Sequence, residues 1–205
     1  MINKKQKIID VTFALSLKKG FDNVSMKQIQ EESGLASGSI YYHFKNKREI
    51  LEHIINIYII DGFYELEKYL QNFDGSFIEK IRFIMKYKTN DYGKKESYYP
   101  HISVLAEFDY KDYYTFIIST THHHRETKDK INELNNKLYD LYYKLIQEAI
   151  KKNEIREDIE IETLVIYIQS ALKGYVYLWI YQSRDSLDKI IDTNLKLIWE
   201  AIKPR

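Results

Sequence analysis

The stretch "SMKQIQEESGLASGSIYYHFKNKREIL", residues Ser25 to Leu51, puts two glycines, a Tyr-Tyr-His-Phe run and four cations into one short block. Ser25-x-x-Gln28 is a capping box, in which each side chain satisfies the other residue's unpaired backbone N–H. Val24 and Ile29 stand at the two positions of a hydrophobic staple, so a helix starts at Met26. Ser33-Gly34 stops it, because glycine takes the left-handed conformation of a tight interhelical turn. Ser37 reads as the cap of a second short helix, and Asn46-x-x-Glu49 as a capping box opening a long one. Three helix starts within about twenty residues describe a helix-turn-helix supported by a helix on either side.

The middle helix has an unusual division of faces. At about 100° per residue, Phe44 lies about 40° from Ile40, so these two mark the buried side with Leu35 below them. Tyr42, Gly38 and Ser39 point the other way, and Tyr41 and His43 lie on the flanks. A helix that buries two residues and offers water phenols, a hydroxyl, an imidazole and a bare glycine is explained by a surface that meets something. Gly38 costs about 1 kcal/mol relative to alanine, and allows a bulky ligand to come close. Lys47 and Arg48 fall in the first turn of the long helix, where the helix dipole disfavours cations unless an anion is near. A phosphate at such a helix end reverses the sign.

Charge agrees with that reading. Residues 1–48 carry nine Lys and Arg against four acids, a net of +5, whereas the whole 205-residue chain carries only +1. A basic amino-terminal module on an acidic body is the asymmetry expected of a nucleic-acid binder. The 44% apolar content is enough for a core, and with no cysteine there is no disulfide framework, thiolate metal site or cysteine nucleophile. No apolar run reaches the eighteen or so residues of a membrane span, and "MINKKQKIID" lacks the apolar segment of a secretory signal, so a cytoplasmic protein without a membrane partner is expected.

Apolar residues recur at spacings of three and four almost throughout, which predicts an all-α fold. Helices are expected at 4–19, ended by Gly20, and from Lys47 through Ile54, Tyr58 and Leu66 toward Leu70, with Asp61-Gly62 as the place for a kink. Others follow at 76–91, 101–109, 112–152 with a boundary inside it, 161–182 and 186–202. Residues 91–100 form the clearest loop.

These residues carry a resemblance. "GLASGSIYYHFKNKREIL" resembles the helix-turn-helix signature of the TetR family of transcriptional regulators, over roughly Lys4 to Ile60. Lys27-Gln28 stands where many members have Arg or Thr followed by Asp or Glu. The resemblance implies an amino-terminal DNA-binding domain at 1–50, extending to about 60 with the connecting helix, and an effector-binding and dimerisation domain at 51–205. It also implies a homodimer that holds a palindromic double-stranded operator, in most cases as a repressor, and releases it when a small molecule binds. Ser37, Gly38, Ser39, Tyr41, Tyr42, His43 and Lys47 become the DNA-facing set, with Ser25, Lys27 and Gln28 as backbone contacts.

The remaining chain is less explicit. In 164–182, Leu164, Ile168, Leu172, Tyr175 and Trp179 make one apolar stripe, while Ile166, Ser170, Val176 and Ile180 make another. Leu187, Ile191, Leu195, Ile198 and Ile202 form the stripe of the last helix. By the resemblance the last two helices form a four-helix bundle with a second copy, and Leu164, Ile168, Leu172, Tyr175, Leu187, Ile191, Leu195 and Ile198 are taken as that interface. Nineteen tyrosines against nine phenylalanines fit either an aromatic pocket for an apolar or aromatic effector, around Tyr87, Phe108, Tyr139, Tyr143 and Trp179, or a coding bias toward Ile, Lys, Asn and Tyr. His122, His123 and His124 are adjacent, so on a helix they diverge and do not readily share one metal. A loop conformation, or His101, Glu107 and Asp109 brought alongside, would be needed for a metal site. No enzyme fingerprint occurs and no cofactor is expected. The competing reading is an effector-binding protein or a metal-dependent hydrolase without DNA binding.

Overall fold

The computed structural model describes residues 3–89, 110–182 and 184–204, and no strand occurs among them. The loop expected at 91–100, the helix expected at 101–109, and Phe108, His101, Glu107 and Asp109 lie outside the described residues. Two compact units emerge, with the chain passing from one to the other after Glu65 and after Asn132.

The first unit contains α1 (Lys4–Lys19), a 3-10 turn (Phe21–Asn23), α2 (Met26–Ser33), α3 (Ser37–His43), α4 (Lys47–Ile55), a π-helical turn (Asn56–Ile60), the start of α5 (Asp61–Gln71), α7 (Tyr110–His123) and the first turns of α8 (Arg125–Lys151). Asn3 caps α1, accepting from the Lys5 and Gln6 N–H groups, and Gly20 closes it at φ +79°. Ile8, Ile9 and Phe13 of α1 are buried with Ile29, Ile40, Phe44, Ile50 and Ile54. Fully burying such a side chain contributes about 1.5–3 kcal/mol. Thr12 and Ser16 share this interior because their hydroxyls donate back to the Ile8 and Thr12 carbonyls at 2.7 and 2.6 Å. Phe13 stacks on Tyr58 at 4.3 Å and meets Phe116 of α7 edge-on at 5.3 Å. The departure from α geometry in the long helix comes at the π turn, immediately before Asp61-Gly62. There Tyr113 of α7 donates its hydroxyl proton to the Tyr58 carbonyl at 2.9 Å, and Tyr58 donates its own to Asp10. A π turn re-aims backbone groups in this way.

The second unit is built from the rest of α5, α6 (Phe77–Thr89), α8 from Glu133, α9 (Ile161–Tyr181) and α10 (Leu187–Ile202). Ser76 and Glu79 cap α6, and hydrogen bonds from Ser76 hold the Glu79 carboxyl below the usual range. Asn153 ends α8 at φ +55°, with the Glu154 N–H returning to the Ala149 carbonyl at 2.9 Å, a Schellman-type stop. Tyr175 of α9 donates to the Met85 carbonyl at 2.6 Å, and Arg82 of α6 reaches Asp192 of α10 at 2.5 Å.

This unit uses most of the interface residues expected from sequence for packing within its own chain. Leu164, Ile168, Leu172, Tyr175, Ile191, Leu195 and Ile198 are buried inside their own chain, and Leu187 is half-buried. The exposed apolar residues of α9 and α10 are Ile166 (60% exposed), Tyr177 (60%) and Leu197 (59%), with Tyr167, Leu178 and Tyr181, whereas Val176 and Ile180 of the second stripe are buried and half-buried. Two apolar stripes are equivalent in a periodicity, and only the position of α6 and α8 decides which of them their own chain covers.

Candidate nucleic-acid interface

The capping box at α2 forms as read. Ser25 N–H donates to Gln28 Oε1 at 2.8 Å, and Gln28 N–H donates to Ser25 Oγ at 3.2 Å. This uses one acceptor on each side chain and leaves the hydroxyl proton and the amide N–H pair as donors. Lys27 is exposed, 3.8 Å from the equally exposed Glu31, a pair that water screens and that holds the lysine only weakly. Gly34 turns the chain at φ +65°, ψ +18°, the left-handed geometry expected of it.

Ala36, not Ser37, is the residue before the first turn of α3, and no side chain caps that end. Ser37 is the first helical residue and is exposed, so its hydroxyl is not spent on the helix. Ile40 and Phe44 are each 1% exposed, whereas Tyr41 is 54% and Tyr42 85% exposed. Leu35, Ser39 and His43 are half-buried, and the Tyr42 and His43 rings meet edge-on at 5.1 Å. A Cβ built on Gly38 meets nothing within 4 Å. Packing within this chain therefore does not require glycine there.

Lys47 differs from its sequence reading. Its ammonium turns inward and donates to the carbonyls of Phe21 (2.8 Å), Asp22 (3.2 Å) and Val24 (2.6 Å), lying 4.5 Å from the centre of the Phe21 ring. Burial pulls its pKa down, opposed by the charge of Asp22. The cation that the helix dipole disfavours is compensated by three carbonyl oxygens rather than by a phosphate. It ties the start of α4 to the 3-10 turn. Arg48 and Lys45, by contrast, are exposed, and their side chains have no hydrogen-bond or ion-pair partner among the described residues. The charge count contained both, but nothing in their spacing separated them from Lys47.

The histidine run has a local explanation. His123 Nδ1 and His124 Nε2 each lie 3.0 Å from one oxygen of Asp22, and His124 meets the Phe21 ring edge-on at 5.2 Å. Burial pushes the Asp22 carboxyl up, but hydrogen bonds and charge from His123 and His124 outweigh it and hold the group below its usual range. No group of three metal-ligating side chains assembles among the described residues. The 3-10 turn is thus gripped by Lys47 on one side and by the end of α7 on the other.

Of the aromatic set, Tyr87 is buried, and Tyr139, Tyr143 and Trp179 are half-buried. Two described cavities, of about 390 and 450 Å³, are lined by none of these four. The hydroxyl of Tyr142 on α8, between Tyr139 and Tyr143 in sequence, is fully buried without a hydrogen-bond partner among the described residues, and burial pushes its pKa up.

Residues 8–54 match the family model described as bacterial regulatory proteins, tetR family. The HTH-type transcriptional regulator QacR of Staphylococcus aureus is 29% identical over 72% of this chain and 71% of its own length. The fatty acid metabolism regulator protein of Bacillus subtilis is 25% identical over 86% of this chain and 84% of its own. Among solved structures, a transcriptional regulator from Saccharomonospora viridis in complex with choline superposes with a TM-score of 0.79 at 16% identity, covering the whole of both chains. At that identity the likeness concerns the fold. No helix among the described residues is long and apolar enough to cross a membrane.

Proposed function

We propose that this chain, whose residues 8–54 match the tetR family of bacterial regulatory proteins, acts as a cytoplasmic, homodimeric repressor released from a palindromic operator by a small molecule. The observation that carries the reading is the outer face of α3: Tyr42, Tyr41, Ser37 and Gly38 are exposed on a helix held rigidly by Ile40 and Phe44. Tyr42 and Ser37 read base edges, Ser39, Tyr41 and His43 flank them, and Gly38 lets the helix enter the groove. Ser25, Lys27 and Gln28 from α2, with Lys45 and Arg48, meet phosphates. Lys47 positions rather than contacts.

The DNA-binding domain covers 1–50 with the start of the connecting helix, and the remainder binds effector and dimerises. Dimerisation uses the exposed apolar face of α9 and α10. Ser170 and Gly174 lie on it, and a Cβ on Gly174 meets nothing within 4 Å in its own chain, which leaves room for a second helix to approach. The effector is a small apolar or aromatic molecule in the helical body near Tyr87, Tyr139, Tyr143 and Trp179, and the unanswered hydroxyl of Tyr142 supplies a polar anchor. Selection of bound duplexes from a random pool tests the whole reading. An inverted repeat with half-sites about 34–36 Å apart is expected, and recovery of no preferred duplex refutes it.

A further inference from the structure

α4, the π turn and the start of α5 form one continuous helix whose buried residues recur every four positions: Ile50, Ile54, Tyr58 and Gly62, and beside them Leu51, Ile55, Ile59 and Phe63. A straight α-helix turns about 40° past a full circle in each four-residue step, so the last of these pairs would lie about 120° away from the first. The π turn at Asn56–Ile60 holds one more residue in its circle and takes back about 100° of that drift. The pairs therefore stay on one side of the helix.

Contacts from three other helices hold the turn in that form. Ile57, Ile59 and Ile60 are β-branched, so the local preference for regular α geometry is weak there and tertiary contacts decide. From α1, the Phe13 ring stacks on Tyr58, and Asp10, which also accepts from Gln6 at 2.6 Å, accepts from the Tyr58 hydroxyl. From α8, Lys130 donates to Asn56 Oδ1 at 2.9 Å. The bond from α7 is the one that reaches the backbone of the turn: the Tyr113 hydroxyl donates to the Tyr58 carbonyl at 2.9 Å, where π geometry loosens the ladder. At its other end α4 carries Arg48 and the inward Lys47 that ties it to the 3-10 turn, so a rotation of α4 carries the helix-turn-helix with it. We infer, building on the palindromic operator proposed for the dimer, that Tyr113 is a positioning residue for operator binding. By pinning the π turn it fixes the rotation of α4 about the helix axis, and through α4 the half-site spacing that a dimer accepts.

Tyr113→Phe keeps the ring, edge-on to Phe13 at 6.4 Å, and removes only the hydroxyl. Binding-site selection from a duplex pool of varied spacing returns one spacing for the parent. For Tyr113→Phe, the half-site sequence and the salt slope stay as in the parent, while discrimination against spacings one base pair longer or shorter falls about threefold to tenfold, as for one lost hydrogen bond. The chain has no cysteine, so spin labels at Glu52→Cys and Glu65→Cys, both exposed, read the rotation without DNA in samples diluted with unlabelled chain. The parent gives one narrow distance, and Tyr113→Phe gives a broader distribution or a second distance. Unchanged spacing discrimination overturns the role of Tyr113, and so does an unchanged label distribution. Loss of half-site preference together with spacing reports plain destabilisation and overturns it as well. If the parent selects no duplex, the operator reading fails, while the label distances still decide whether Tyr113 pins the turn.

Discussion

Replacing Lys47 by methionine keeps an apolar stem of similar length and removes the ammonium, which lies over the Phe21 ring and donates to three carbonyls in and next to the 3-10 turn. Hydrogen bonds from a charged donor contribute about 1.5–3 kcal/mol. Lys47 is half-buried, so water replaces part of what is lost, and a cost of about 2 kcal/mol follows for the set. At about 2–4 °C per kcal/mol for a chain of this size, the melting temperature falls by about 4–8 °C. Melting followed by far-UV circular dichroism measures this, and duplex titration across salt concentrations measures the second half of the prediction. For Lys47→Met, the slope of log K against log salt stays at the parent value below the melting range. For Arg48→Ala, the slope flattens by about 1 with no change in melting, because an exposed arginine without an internal partner is available to a phosphate. A Lys47→Met protein that melts like the parent but loses one unit of slope refutes the inward role and returns the lysine to the DNA surface.

Tyr42→Ala loses about 1–3 kcal/mol of operator affinity and blurs sequence preference at one position of each half-site, as a binding-site selection repeated on the variant shows. Tyr177→Glu places a charge on the exposed face of α9 and yields a folded monomer in sedimentation, while Ile168→Glu, in the chain's own core, unfolds the second unit; a Tyr177→Glu dimer would falsify the assigned interface. Tyr142→Phe removes a buried hydroxyl without a partner and raises stability by about 1 kcal/mol, so a loss of similar size in denaturant titration shows that the hydroxyl is bonded after all. The depressed pKa of Asp22 sets a sign for acid stability: its contribution is fully present above the ordinary value of 3.8 and disappears as pH falls through the lower folded value. Asp22→Asn is therefore less stable than the parent at neutral pH, by no more than about 1 kcal/mol for so exposed a pair, and the two converge below that range.

Local chemistry alone placed the helix-turn-helix. The capping box at Ser25, the Asn46 cap, the left-handed Gly34 and the Ile40–Phe44 spacing act through neighbours within four residues, and each appears in the structure where the chain order puts it, except that the Glu49 carboxylate accepts from the Lys45 N–H instead of returning to Asn46, which leaves the second box half formed. The bounds of α1 and the all-helical character of the described residues follow from the same short-range periodicity. Three properties depended on partners far away in the chain. Lys47 turns toward carbonyls 23 to 26 residues earlier, and His123 and His124 turn toward a carboxylate more than 100 residues away. Which apolar stripe of α9 is covered depended on the packing of α6 and α8 against it, since Leu164–Ile168–Leu172 and the Ile166 side have equal claims in a helical repeat. Helix starts and stops are energies of adjacent residues, and the sequence contains them directly; the direction a cation faces, or the side of a helix that stays wet, is set by long-range packing and exists only once the chain has folded.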